Sequence, residues 1–295
     1  MILKRTALLF TAVVAAASLM VSCGPDENGN NGDDTTKIDS NANINVKVRG
    51  KIFSIPSPIQ TAVLIKKTGV PFDKTILNPS DNSTNYSTKY QMALNLGVYG
   101  CDLGYLTMYE QNGDAMQYFI ATQKLAEMLD VSDAFDKSLI SRFQANIGKK
   151  DSMLALVSSA YRASDQFLQN NDRNDISALI IAGGWIEALH FACQTAKGNQ
   201  DIINRIAEQK TTLTSLVGLM ETYAGQEEYA ELISQLKSLQ ADYEGIEYKY
   251  VYEKPETDEG KKTTTITSRT EVKITPEQLK AITDKIANLR QLVVG

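Results

Sequence analysis

From residue 84 to residue 244 apolar residues recur at helical spacing in one segment after another, and the breaks between segments are only a few residues long. The spacing predicts helices over 84–110, 113–130, 133–147, 150–170, 174–197, 200–223 and 226–244. Asn112-Gly113, Ser132-Asp133, Gly148, Asn170-Asn171-Asp172, Gly198-Asn199 and Gly225 mark the breaks. A short link cannot carry the chain back along a helix, so consecutive helices have to run antiparallel. The expected body is mainly α, an antiparallel helical bundle or a short solenoid of helical hairpins. At 295 residues and 43% hydrophobic content it can bury a sizeable core.

The flanks read differently. Ile44, Val46 and Val48 alternate within 44–53, which predicts one short strand. Pro56-Ser57-Pro58 then opens a helix that runs to about Thr68 and stops at Gly69, with Pro71 beyond. After Gly245, Tyr248, Tyr250 and Tyr252 alternate with Glu247, Lys249 and Val251, and a second β-prone run spans Thr263 to Ile274. Together they predict a β-hairpin near 246–274 with a long loop. Thr275-Pro276-Glu277-Gln278 is a capping box with proline at the first helical position. It starts a terminal amphipathic helix carrying Leu279, Ile282, Ile286 and Leu289.

The amino terminus carries a targeting pattern. Lys4 and Arg5 precede an apolar run from Ala7 to Val21 that is interrupted only by Thr11 and Ser18. That run is short for a membrane span, which needs about 20 residues, and suits the apolar core of a signal peptide. Met20-Val21-Ser22-Cys23 resembles the bacterial lipobox, which implies cleavage of 1–22 and acylation of Cys23. A general signal peptide with an incidental cysteine is the other reading. Nothing after Cys23 reads as apolar for long enough to cross a bilayer, so the expected anchor is lipid alone, and several acyl chains hold firmly.

Residues 23–43 are rich in Gly, Asn, Asp and Thr, and too poor in apolar side chains to offset the entropy of ordering, so they read as a tether. Asp26, Glu27, Asp33 and Asp34 precede any basic residue. This start resembles lipoproteins of the Bacteroidetes, in which such acids favour export to the cell surface. Asp34-Thr35-Thr36 also resembles the short O-glycosylation site of that phylum. Gly24 stands where an inner-membrane retention signal would have Asp, so the expected location is the outer membrane, on its periplasmic face or at the cell surface. Net charge is −5, and removal of the leader takes away Lys4 and Arg5 and no acid. An acidic chain without a basic tract gains nothing from counterion release, which excludes nucleic acid as an expected partner. The expected partners are the membrane, through acyl chains on Cys23, and other envelope proteins.

Catalytic equipment is sparse. His190 is the one histidine, and Glu187 precedes it by three residues. A di-iron bundle needs a second Glu-x-x-His, so no metal site and no cofactor is expected. There is no Gly-x-Ser-x-Gly elbow, no Walker A loop and no Gly-x-Gly-x-x-Gly after a strand. A convergent pair of carboxylates stays possible in any acidic chain. Cys101 and Cys193 sit in apolar helical patterns and either pair with each other or remain buried thiols.

Two stretches depart from an ordinary bundle. Gly97, Gly100 and Gly104 lie within eight residues, along a helix that carries Asp102 and Tyr105. Gly183-Gly184-Trp185-Ile186-Glu187 contains the only tryptophan. Each internal glycine costs about 1 kcal/mol against alanine, so something approaches the backbone at these points. One reading is a ligand groove between helices 84–110 and 174–197, with Tyr105 and Trp185 as flat contacts and Asp102 and Glu187 as polar anchors. The other is a tight helix crossing. Leu94–Gly100 and Gly183–Glu187 also resemble stretches of uncharacterised Bacteroidetes lipoproteins with a helical body, a resemblance that implies no activity. The sequence thus leads to an expected non-enzymatic, lipid-anchored binding or scaffold protein, with a small-ligand receptor as the alternative.

Overall fold

In a computed structural model of the chain, described for residues 43–48, 51–56, 58–134, 137–258, 260, 262–266 and 268–295, helices dominate. Residues 1–42, with Cys23 and all of the expected tether but its last residue, lie outside the described residues, and Asn43 opens the first strand. Ten α-helices are present among those described: α1 (Pro58–Lys67), α2 (Lys89–Met108), α3 (Asn112–Met128), α4 (Lys137–Asn146), α5 (Lys150–Asn170), α6 (Asn174–Thr195), α7 (Gln200–Ala207), α8 (Gln209–Glu221), α9 (Ala230–Tyr243) and α10 (Pro276–Val294). The mainly α bundle expected from the periodicity is what forms.

Its centre is the pair α2 and α6. From Met92 to Met108 and from Ile176 to Ala192 every residue is buried, so both helices are enclosed on all sides. Around them pack α1, α3, α5 and α10, with α7, α8 and α9 extending one flank. The closest pairing joins helices far apart in the chain. A solenoid, in which each repeat touches only its neighbours, does not do this, so the fold is a bundle wrapped on a central pair.

The all-round burial of α6 corrects one expectation. By length and composition Asn174–Thr195 is apolar enough to cross a membrane, although all of its most apolar window lies inside the protein. A helix without a polar face is a core helix or a membrane span, and this one has protein on every side.

Several boundaries follow from local chemistry. Thr88 caps α2 by accepting from the Gln91 amide while Gln91 returns a bond to the Thr88 amide, so α2 starts at Lys89 and the short turn Ser80–Thr84 stays separate from it. Thr275 and Gln278 make the same box at α10, as the sequence predicts. Gly148 and Gly198 end α4 and α6 with φ of 86° and 83°, a backbone shape that costs glycine nothing. The segment expected as one helix over 200–223 divides at Glu208 into α7 and α8. Gln209, just past the break, turns inward to accept from the Trp185 indole and to donate to the Arg205 carbonyl.

The strands form three antiparallel pairs. β1 (Asn43–Val48) pairs with β2 (Lys51–Pro56), so the single strand expected over 44–53 is a hairpin. β3 (Glu247–Val251) pairs with β6 (Arg269–Lys273), placing Tyr248 opposite Val272 and Tyr250 opposite Thr270. The long loop between them is itself extended, with β4 (Glu256–Asp258) against β5 (Thr263–Thr265). The base of this arm is tied down where the Tyr248 hydroxyl donates to the Ala207 carbonyl. Tyr250, Tyr252 and Ile266 farther along it are 65%, 69% and 73% exposed.

Candidate functional site

The four residues expected to line a groove between α2 and α6 do not line one. A Cβ on Gly97 would land on the Ile180 carbonyl oxygen and within 2.7 Å of the Gly184 nitrogen, and a Cβ on Gly183 would land on the Leu94 carbonyl oxygen. The two backbones therefore touch, and the glycines close the crossing. Tyr105 is fully buried, stacked near Phe72, Tyr109 and Phe191, and its hydroxyl accepts the Asp73 amide at 3.2 Å. Trp185 is 3% exposed, with its indole nitrogen 3.0 Å from Gln209 Oε1. Sequence spacing placed these side chains on the right helices but could not show that the helices meet without a gap.

Asp102 and Glu187 do come together, in a closed polar cluster. The Arg290 guanidinium on α10 donates to both Glu187 oxygens, Nε to Oε2 at 2.7 Å and Nη2 to Oε1 at 2.9 Å, and Nη2 also donates to the Ile76 carbonyl at 3.1 Å. Asn95 extends the cluster by donating to the Val293 carbonyl at 2.8 Å, and Asn78 donates to Tyr86 Oη at 2.9 Å and to Asn95 Oδ1 at 3.3 Å. These bonds clasp the terminal helix and the 73–86 segment onto the central pair. Arg290 is the residue that sequence reasoning missed. It stands on the polar side of an amphipathic helix, where a solvated face is the usual reading, and nothing local marks its partner.

The proton inventory of this cluster follows from burial. Neither Asp102 oxygen makes a hydrogen bond of ordinary geometry. Burial first, and then the neighbouring charge of Glu187, push its carboxyl well above the usual range, against the opposing pull of Arg290 and the Asn78 amide, and this favours the protonated form in the folded protein. Burial also raises Glu187, against the opposing pull of Arg290. His190 is pushed down to about 3 by burial and by the charge of Arg290, and stays neutral. Asp102 and Glu187 are thus a convergent carboxylate pair, but each is fully buried and Glu187 is already neutralised by Arg290. The arrangement is a clamp.

A pH test follows. Unfolded, Asp102 ionises near 3.8. Folded, its carboxyl is raised, so between that pH and its higher folded value the native state binds more protons than the unfolded state. Stability therefore carries a component that declines as pH rises, by up to about 1.4 kcal/mol per unit. Asp102→Asn keeps the shape and a donor and should remove that component, so that denaturant melts of the variant hold steady with rising pH where wild type weakens. Parallel profiles for the two proteins would mean that Asp102 is ionised when folded.

Neither cysteine offers a nucleophile. Cys101 and Cys193 are both free, and burial pushes the Cys193 thiol up to about 12 and that of Cys101 well above its ordinary value. No group of three or more His, Cys, Asp or Glu that could hold a metal ion exists among the described residues.

The open site lies elsewhere, where α2, α3, α4 and α5 meet. A cavity of about 310 Å³ is walled there by Leu96 and Leu103 of α2, Phe119 of α3, Phe143 of α4, and Leu156 and Tyr161 of α5. Gly100 helps create it. A Cβ there would strike the Tyr161 hydroxyl, with ring carbon Cζ at 2.7 Å. Its absence lets Tyr161 reach in and donate to the Gly97 carbonyl at 2.8 Å, leaving the ring as a wall of the cavity. Phe119 and Phe143 stack at 3.8 Å between centroids and 13° between planes, joining α4 to α3 at one side. Gln123, Glu127, Ser132 and Asp133 also line it, and Glu127, Ser132 and Asp133 are exposed. The space is mostly apolar, reachable from water, and about twice an apolar cavity that takes up benzene.

The described residues thus form a helical bundle with a clamped polar cluster and an apolar cavity. Comparison of the chain with protein families, with curated proteins and with solved structures finds no match.

Proposed function

We propose that the chain is an exported envelope protein, acylated on Cys23 after removal of residues 1–22, that binds a small apolar molecule in the cavity between α2, α3, α4 and α5. The cavity carries this reading. Apolar walls of this extent are not filled by side chains, and apolar surface left unpacked is costly unless something occupies it. The acidic balance of the chain speaks for a partner other than nucleic acid. Binding is preferred to catalysis because the described lining residues include no histidine, cysteine or lysine and the convergent acids are sealed away from the cavity.

Ala160 lines the cavity from α5. Ala160→Phe should fill it, lowering affinity for the fluorescent apolar probe N-phenyl-1-naphthylamine at least tenfold. The melting temperature should hold or rise, since filling a void commonly adds about 0.5–2 kcal/mol. Equal probe binding by variant and wild type would remove the reading.

A second reading, a scaffold subunit at the outer membrane, draws on the exposed Tyr250, Tyr252 and Ile266 of the β arm. Crosslinking in the native envelope tests it. Partners joined through Tyr250 or Tyr252 support it, and an arm that joins nothing counts against it.

A further inference from the structure

Resting on the cavity reading above, we infer that the molecule held there is an amphiphile with a neutral or cationic head and an apolar body of about a dozen carbons, and that fatty carboxylates and other anions are rejected. The body size follows from the volume. A cavity of about 150 Å³ accepts six-carbon benzene, and this one, at about 310 Å³, is roughly twice as large. The head follows from the rim. The charged side chains among the described lining residues are Glu127 and Asp133, both acidic and both exposed, and Gln123 and Ser132 beside them are neutral. Lys124 of α3, Arg142 of α4 and Lys150 and Arg162 of α5 do not line the cavity, so no cation stands among the described lining side chains.

An apolar body seated among Leu103, Phe119, Leu156 and Tyr161 brings its polar end to this rim. A carboxylate there would lose water, find no cation among the described lining residues and face two like charges. An ammonium would find opposite charges, and a hydroxyl could bond to Gln123, Ser132 or either carboxylate. The rim therefore discriminates mainly by repulsion of the wrong head.

The test uses the mature chain from residue 23 with Cys23→Ser, which retains the compact unit formed by residues 37–295. Decanol, decylammonium and decanoate compete for bound N-phenyl-1-naphthylamine at pH 8, each below its micellar concentration. Decanol and decylammonium should displace the probe, with decanoate at least about tenfold weaker, the scale of one or two like charges at a partly exposed site. Glu127→Gln combined with Asp133→Asn should shrink the gap between decylammonium and decanoate below about threefold and leave decanol unchanged. Decanoate competing as well as decylammonium, or a gap that survives the double substitution, overturns the head-group inference while cavity binding stands. A probe that binds nowhere, or binds Ala160→Phe as well as wild type, overturns the cavity reading itself. The two failures are therefore distinguishable.

Discussion

Gly97→Ala and Gly183→Ala should each cost about 4 kcal/mol or more in a denaturant melt, above the 1–3 kcal/mol usual for overpacking. The added methyl group has no soft neighbour to displace. At Gly97 it meets the Ile180 carbonyl and the Gly184 amide, and at Gly183 the Leu94 carbonyl and α-carbon. Relief requires the central helices to separate, and every residue from Met92 to Met108 and from Ile176 to Ala192 is packed against that geometry. Gly113→Ala is the control. It lies in α3 with nothing within 4 Å of its added carbon, so it should be neutral or gain up to about 1 kcal/mol of helix propensity. Equal effects at Gly97 and Gly113 would mean that the crossing is not a close backbone contact.

Arg290→Met should destabilise the fold by about 3–5 kcal/mol, because it leaves Glu187 fully buried without its cation and Asp102 beside it. The same change should loosen the end of α10, which hydrogen–deuterium exchange reads as faster exchange from Ile286 to Val293. Glu187→Leu combined with Arg290→Met should cost less than Arg290→Met alone, because no uncompensated charge remains. A double substitution as damaging as the single one would show that packing of the Arg290 stem, and not its charge, holds α10 in place.

Periodicity made the helical body legible because the apolar stripe of each helix has to face protein, and the glycine and asparagine breaks had to be turns. The two capping boxes differ in how they were read. Thr275–Gln278 marks a helix start in the sequence, whereas Thr88–Gln91 lies inside the segment predicted as helix over 84–110, and only the structure shows that it begins α2. The glycines of α2 and α6 signalled close approach correctly. Whether they open a groove or close a crossing depends on the azimuth of one helix against another, which no local pattern encodes. The ion pair of Glu187 with Arg290 spans 103 residues, and the cavity wall draws on five helices, Ile180 of α6 included. Phe119 and Phe143 are both buried, and only tertiary packing shows that the core does not fill the space between them and α2.

Mass spectrometry of the chain extracted from its own envelope, compared with its Ala160→Phe variant, tests the central claim most directly. Under native conditions the wild-type spectrum should show a polypeptide beginning at Cys23 with acyl groups attached, plus a non-covalent small apolar adduct of which the variant retains less than a tenth. A chain that carries no adduct, or the same adduct with the cavity filled, would contradict the claim.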